Sequence, residues 1–326
     1  MSIAQPADVS AQHAAADLDT VASEPAVHTV ALEQVRKSYD HFLAVDDLSL
    51  HIPAGSVYGL LGPNGAGKTS VIRMMIGITA PDSGAIRLFA EPFRREHLSR
   101  VGYLPEERGL YKRMKLLDHL VFLAELKGVT AADAVRRAVW WCERLELGDW
   151  MSKRIEELSK GMQQKVQFIA TILHDPELLI LDEPFAGLDP ANVVALKDVL
   201  LEMKQAGKTI LFSTHRMEQV ERLCDSICLI DHGKAVLHGD LKQIKSQFGR
   251  NDVLLEYEGE VAFLGEAALV QSYNNYGNYV EVRLRPGADP QDLLRLAASR
   301  ARVSKFELIE PSLEQIFLEA VGRHDA

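Results

Sequence analysis

The chemically loaded stretch of this 326-residue chain is Gly62-Pro63-Asn64-Gly65-Ala66-Gly67-Lys68-Thr69, followed by Ser70. Its spacing fits G-x-x-x-x-G-K-[ST], a loop that cradles phosphate. Glycines let successive backbone N–H groups turn toward one anion, and a helix beginning there adds positive potential. Lys68 would reach the β- and γ-phosphates of a nucleotide, and the Thr69 hydroxyl would serve Mg²⁺. A Gly-rich structural turn with a solvated lysine is the bland alternative. A strand-like run before the loop and a helix-like run after it argue against that alternative.

Asp182 and Glu183 close the continuous apolar run Leu178-Leu179-Ile180-Leu181. Two adjacent acids at the edge of an apolar strand cost desolvation unless something cationic meets them. Asp182 suits the Mg²⁺ shell, and Glu183 suits orienting or deprotonating an attacking water. A helix cap and turn before Pro184 would also explain the pair, but less well once the phosphate loop is counted. His215 follows the run Thr209-Ile210-Leu211-Phe212-Ser213 at what would be the ligand edge of an open sheet. There it could donate to a γ-phosphate; in isolation, a partly buried core histidine is the simpler account. Ser159-Lys160-Gly161-Met162 opens another helical stretch and offers a hydroxyl and N–H groups to an anion. Taken alone, it reads more simply as a capped helix.

These residues need rigid elements to hold them. From Val30 onward, short apolar runs alternate with segments of helical period, which predicts a parallel sheet with covering helices. Residues 56–61 form the strand entering the phosphate loop, 69–76 the helix leaving it, and 115–157 are mostly helical. Asp231-His232-Gly233 is a predicted hairpin turn between two short strands. After about Gly249 the texture changes: 253–257 and 279–284 alternate like half-exposed strands, while 289–299 and 311–321 read as helices. Residues 1–27 lack apolar periodicity and read as a disordered tail.

Composition narrows the classes further. With 36 Lys+Arg against 46 Asp+Glu the net charge is −10, which disfavours a nucleic-acid partner. Three cysteines rule out a disulfide scaffold, and Cys224 and Cys228 lack a second ligand pair for a metal. No apolar run approaches the ~20 residues of a membrane span, so work at a membrane would need a recruiting partner. Trp140, Trp141 and Trp150 read as packing residues, and His13, His28, His97 and His119 carry no spacing signal.

Five motifs stand in order: the phosphate loop, Leu158-Ser159-Lys160-Gly161-Met162, the run ending in Asp182-Glu183, Gly187-Leu188-Asp189, and His215. Over about residues 30–239 this set resembles the ATP-binding subunits of ABC transporters. The resemblance implies a P-loop α/β fold with a mainly parallel sheet, an antiparallel β subdomain and a helical subdomain at about 107–165. It divides the chain into a tail (1–27), an ATP-binding domain (28–248) and a small α+β C-terminal domain (249–326). It implies ATP and Mg²⁺ as cofactors, with Tyr39 stacking on adenine, although a core tyrosine is an alternative there. Ser159 and Gly161 would meet the γ-phosphate held by a second ATP-binding subunit, and Asp189 would link the two sites.

Two departures stand out. The signature usually reads Leu-Ser-Gly-Gly-Gln, and Glu106 occupies the place of the usual glutamine in the loop after Val101-Gly102-Tyr103-Leu104-Pro105. With Gly102-Tyr103-Leu104-Pro105-Glu106-Glu107 they resemble the ABC-2, sodium-efflux branch. The implied partners are a membrane permease and a second copy of the chain, at the cytoplasmic face of the membrane, with export as the transport direction. A soluble ABC-type ATPase acting on a macromolecule other than a transporter is the rival class. A phosphate-loop kinase is a third, which the signature opposes.

Overall fold

The computed structural model describes residues 28–107, 109–247, 252–260, 262–265 and 268–324. The predicted tail and the predicted boundary at 248/249 fall outside them. In chain order the strands are β1 (His28–Tyr39), β2 (Phe42–Pro53), β3 (Val57–Leu61), β4 (Ser83–Leu88), β5 (Glu91–Pro92), β6 (Val101–Leu104) and β7 (Leu178–Asp182). They continue as β8 (Thr209–Thr214), β9 (Ser226–Asp231), β10 (Lys234–Asp240), β11 (Asp252–Glu258), β12 (Val270–Asn275), β13 (Tyr279–Leu284) and β14 (Arg302–Ile309). The helices are α1 (Lys68–Met75), α2 (Leu116–Leu126), α3 (Ala131–Arg144), α4 (Lys160–Ile172) and α5 (Pro190–Gln205). After them come α6 (Met217–Leu223), α7 (Leu241–Gln247), α8 (Pro290–Arg300) and α9 (Leu313–His324).

The central sheet has the order β10-β9-β3-β8-β7-β6, parallel except for β10. The continuous apolar runs follow from burial on both faces. In β7, Leu179 and Leu181 enter the large core beneath α2 to α7, while Leu178 and Ile180 enter a second core. That second core is closed by α1 and by an antiparallel sheet of order β2-β1-β4-β5. β1 and β2 form a long hairpin whose two-residue turn, Asp40-His41, places Tyr39 opposite Phe42.

Parallel pairing brings the carboxyl ends of three strands to one edge. Leu61 pairs with Thr214, and Asp182 with Ser213. The phosphate loop, the acidic pair and His215 therefore gather along the sheet edge at which open α/β sheets bind ligands. On the adjoining side the β9–β10 turn carries positive φ at His232 (45°) and Gly233 (80°), as a tight two-residue hairpin requires.

α2 and α3 pack antiparallel across the Gly128 turn, and Thr130 caps α3 by accepting the Asp133 N–H at 3.3 Å. α4 runs past the predicted helical subdomain, with Val166, Phe168 and Ile169 wholly buried against the sheet side. Trp140 is half exposed and stands edge-on to Trp141 at 4.6 Å. No helix among the described residues is long and apolar enough to cross a membrane.

The C-terminal sheet, order β12-β13-β11-β14, is antiparallel and has its own small core shared with α8. β12 and β14 were not legible in the sequence. α9 belongs elsewhere: Leu313 and Ile316 are buried in the large core beneath the central sheet.

Candidate nucleotide site

The phosphate loop is shaped by its neighbours. Gly67 caps α1 with φ 108°, and a Cβ there would lie 2.3 Å from the Ala44 carbonyl oxygen. At Gly62, a Cβ would stand 2.1 Å from the Ile230 carbonyl oxygen. Only glycine fits these approaches. Ala66 is buried beneath the loop, where its carbonyl accepts the Gly233 N–H at 3.0 Å. The Gly233 carbonyl in turn accepts the Asp46 N–H at 2.9 Å.

The loop opens into a cleft of about 330 Å³, lined on one side by Asn64, Gly65, Gly67, Lys68, Thr69 and Ser70. The Lys68 ammonium donates to the carbonyls of Gly62 (2.8 Å) and Pro63 (2.9 Å). Burial pushes its pKa down, while Glu183, Asp182 and Glu106 pull the other way. Those three carboxylates line the opposite wall. Thr69 Oγ1 donates to Asp182 Oδ2 at 3.2 Å, and the Ser213 hydroxyl donates to Asp182 Oδ1. No cluster of three or more His, Cys, Asp or Glu side chains among the described residues could hold a metal by itself. A hydroxyl and one carboxylate do suit Mg²⁺, which takes few protein ligands and keeps phosphate oxygens and waters.

Glu183 sits in the left-handed region, φ 48°, immediately after β7. Strained backbone of this kind persists only where its surroundings over-determine it. Here its N–H donates to the Ser213 carbonyl at 3.1 Å. Its Oε1 accepts the His215 backbone N–H (3.0 Å) and faces His215 Nδ1 (2.7 Å), and its Oε2 accepts the Thr214 hydroxyl (3.2 Å). Two glutamines on α4, which the sequence analysis did not single out, brace both acidic loops from behind. Gln164 Nε2 donates to the Pro184 carbonyl (3.1 Å), and Gln167 Nε2 donates to the carbonyls of Pro105 (3.0 Å) and Glu107 (3.3 Å). Glutamines three apart among the apolar residues Val166, Phe168 and Ile169 are the signal that was available.

Other expected residues lie outside this cleft. Gly62, Pro63 and His215 border a neighbouring cleft of about 650 Å³. The nucleotide cleft is lined by Phe42, 60% exposed, rather than by Tyr39, whose ring has the Lys37 ammonium 5.5 Å from its centre. Ser159 is exposed and caps α4, accepting the Met162 N–H at 3.2 Å, with Gly161 beside it. Asp189 caps α5 by accepting the Asn192 N–H at 3.0 Å. Neither cap borders the nucleotide cleft.

A parallel sheet ending in a phosphate loop, an aspartate beside the loop threonine and a glutamate–histidine pair defines a P-loop ATPase. Residues 45–186 match the ABC transporter family, and residues 239–321 match the C-terminal domain of DrrA1-3-like ATP-binding proteins. The uncharacterized ABC transporter ATP-binding protein YhaQ of Bacillus subtilis (strain 168) is 43% identical over 293 residues, 90% of this chain and 98% of that protein. Nod factor export ATP-binding protein I of Paraburkholderia xenovorans (strain LB400) is 34% identical over 309 residues, 90% of this chain and 97% of that protein. A solved structure of the ATP-binding subunit of an ABC transporter superimposes with a TM-score of 0.63 at 32% identity, over 68% of this chain and 93% of the other. The chain belongs to the ATP-binding, ATP-hydrolysing subunits of ABC transporters. The sequence-based reading of fold and activity agrees with this.

Proposed function

We propose that two copies of this chain, bound beneath a separate membrane permease at its cytoplasmic face, hydrolyse Mg-ATP to drive export. The Nod factor export relative supports the direction of transport. Within each copy, Gly62 to Ser70 wrap the phosphates, and Lys68 leaves its two carbonyl acceptors for the β- and γ-phosphate oxygens. Thr69 and Asp182 would hold Mg²⁺, which would neutralise developing charge on the phosphates. Glu183 orients and deprotonates the attacking water, and His215, fixed by Glu183, donates to the γ-phosphate. The adenine rests against the hairpin end at Tyr39 and Phe42, with Phe42 facing the cleft. Glu106 contributes an acceptor at the γ-phosphate end. The domain divisions at 28–248 and 249–326 are part of this reading.

The observation that carries the dimer is the position of the α4 N-terminus. Ser159, Lys160 and Gly161 present a capped, solvent-facing helix end that borders no part of the copy's own nucleotide cleft. Its natural anion is the γ-phosphate of a second copy, and a twofold axis satisfies both sites together. Asp189, at the exposed start of α5, joins the same seam. Permease docking is supported by an apolar groove of about 260 Å³ beside the Glu106 loop, formed by Leu110, Leu123, Leu126 and Ala170.

Light scattering of the Glu183→Gln chain tests this. Mg-ATP should double the measured mass and ADP should restore the monomer. A monomer at saturating Mg-ATP, with or without membranes carrying a permease, refutes the reading.

A further inference from the structure

α6 begins two residues after His215 and lies against β3, the strand that delivers the phosphate loop. The approach is close: a Cβ on Gly59 would meet Val220 Cγ1 at 3.1 Å and Cys224 Sγ at 3.0 Å. α6 therefore joins the His215 turn to the same strand that fixes the phosphates.

α9 packs along α6. Its Leu313 and Ile316 are 2% and 1% exposed, in the apolar cluster that contains Val220, Leu223, Leu241 and Ile244. The first N–H of a helix has no acceptor within it. In α9 that N–H, on Leu313, donates to Glu221 Oε1 on α6 at 2.5 Å. The Glu221 carboxylate thus meets the positive end of α9. The same oxygen stands 3.2 Å from the Lys245 ammonium on α7. One side chain on α6 holds three helices together. Toward the start of α6, Met217, Phe317 and Leu318 border the 650 Å³ cleft, which Glu221, His215 and Pro63 also line.

We infer that Glu221 is a positioning residue for His215. By tying α6 to α9 and α7, it sets where the His215 turn stands relative to the phosphate loop. The C-terminal domain acts through it on the rate of hydrolysis and leaves nucleotide capture alone. Lys68, Thr69, Asp182 and Phe42, which line the nucleotide cleft, do not border the α6–α9 contact. The inference rests on the proposed action of His215 at the γ-phosphate.

The test uses the full chain and reads steady-state kcat and KM for ATP, with single-turnover rates for slow variants. Glu221→Gln keeps the shape and an acceptor oxygen but loses the charge. It should lower kcat several-fold, leave KM within about twofold, and add nothing further in a His215→Ala background. A second variant, Leu313→Ala, loosens the same contact from the α9 side and should show the same split; melting curves confirm that both are folded. Wild-type kcat in both variants, a loss confined to KM, or an equal loss on top of His215→Ala overturns the inference. If His215→Ala itself hydrolyses ATP at the wild-type rate, the reading of His215 falls instead. If His215→Ala is impaired while Glu221→Gln is normal, only the inference falls.

Discussion

One carboxylate oxygen of Glu183 holds His215 twice, through the backbone N–H at 3.0 Å and through ring Nδ1 at 2.7 Å. An ionised carboxylate only accepts, so Nδ1 holds a proton toward Glu183, and donation from Nε2 as well takes the imidazolium, which is protonated on both nitrogens. The side chain read as the base thereby also aims the side chain read as the γ-phosphate donor.

Glu183→Gln keeps the shape but loses the proton acceptor. Hydrolysis should fall by about 10²–10⁴, the usual contribution of a positioned base. Calorimetric ATP affinity should stay within about threefold. Undiminished turnover would remove Glu183 from that role.

Glu106, Asp182 and Glu183 face the phosphate site with Lys68 as the cation among the residues lining this cleft. Chelating Mg²⁺ should therefore weaken ATP binding strongly, because phosphate and carboxylate then repel across a short gap. Glu106→Gln should recover part of that loss, by up to about tenfold in affinity. Equal affinity in both proteins under EDTA would show that Glu106 points its charge away from the nucleotide.

Phe42 and Tyr39 oppose one another across the hairpin, yet Phe42 borders the cleft. Removing a ring that stacks on a base costs about 1–3 kcal/mol. Phe42→Ala should weaken ATP binding by roughly five- to 150-fold, and Tyr39→Ala by much less. Titration of a fluorescent ATP analogue distinguishes them, and the reverse order would restore the tyrosine as the platform.

His119 is wholly buried on α2, with neither ring nitrogen hydrogen-bonded, and burial lowers its pKa from 6.5 to about 4. Below 6.5 the unfolded chain takes up a proton that the folded chain refuses. Stability is complete above that pH, falls as pH drops toward about 4, and levels off below. The contribution is about 3 kcal/mol. Burial depresses His174 in the same direction, also to about 4. Urea unfolding at stepped pH should show this slope, and His119→Leu should remove about half of it, leaving the part that belongs to His174. An unchanged slope in that variant would place the acid sensitivity elsewhere.

Legibility followed burial and spacing. The run from Leu178 to Asp182 could be read because both of its faces are covered, which forces unbroken apolar residues. The glycines of the phosphate loop were legible because backbone crowding admits nothing else. β12 shows the opposite case: one buried residue, Val270, is followed by five exposed ones, leaving no alternation to read. β14 is likewise mostly exposed, its pairing supplied by β11 across some fifty residues. Phe42 was missed because choosing between two aromatics at a hairpin end depends on twist and not on composition. Gln164 and Gln167 were missed because their acceptors are carbonyls distant in sequence. The seat of α9 depends on Glu221, some ninety residues upstream, and no local pattern announces that.

The link from Gly233 to Ala66 has a consequence for how nucleotide is captured. The hairpin tip between β9 and β10 clasps the phosphate loop through a peptide hydrogen bond, and β2 clasps the tip through another and through the Lys234–Asp46 ion pair. These bonds fix the backbone of the anion nest, so little chain entropy is surrendered when triphosphate docks. What is left to the side chains is exchange of partners: the Lys68 ammonium leaves two carbonyls, and the Thr69 hydroxyl leaves Asp182.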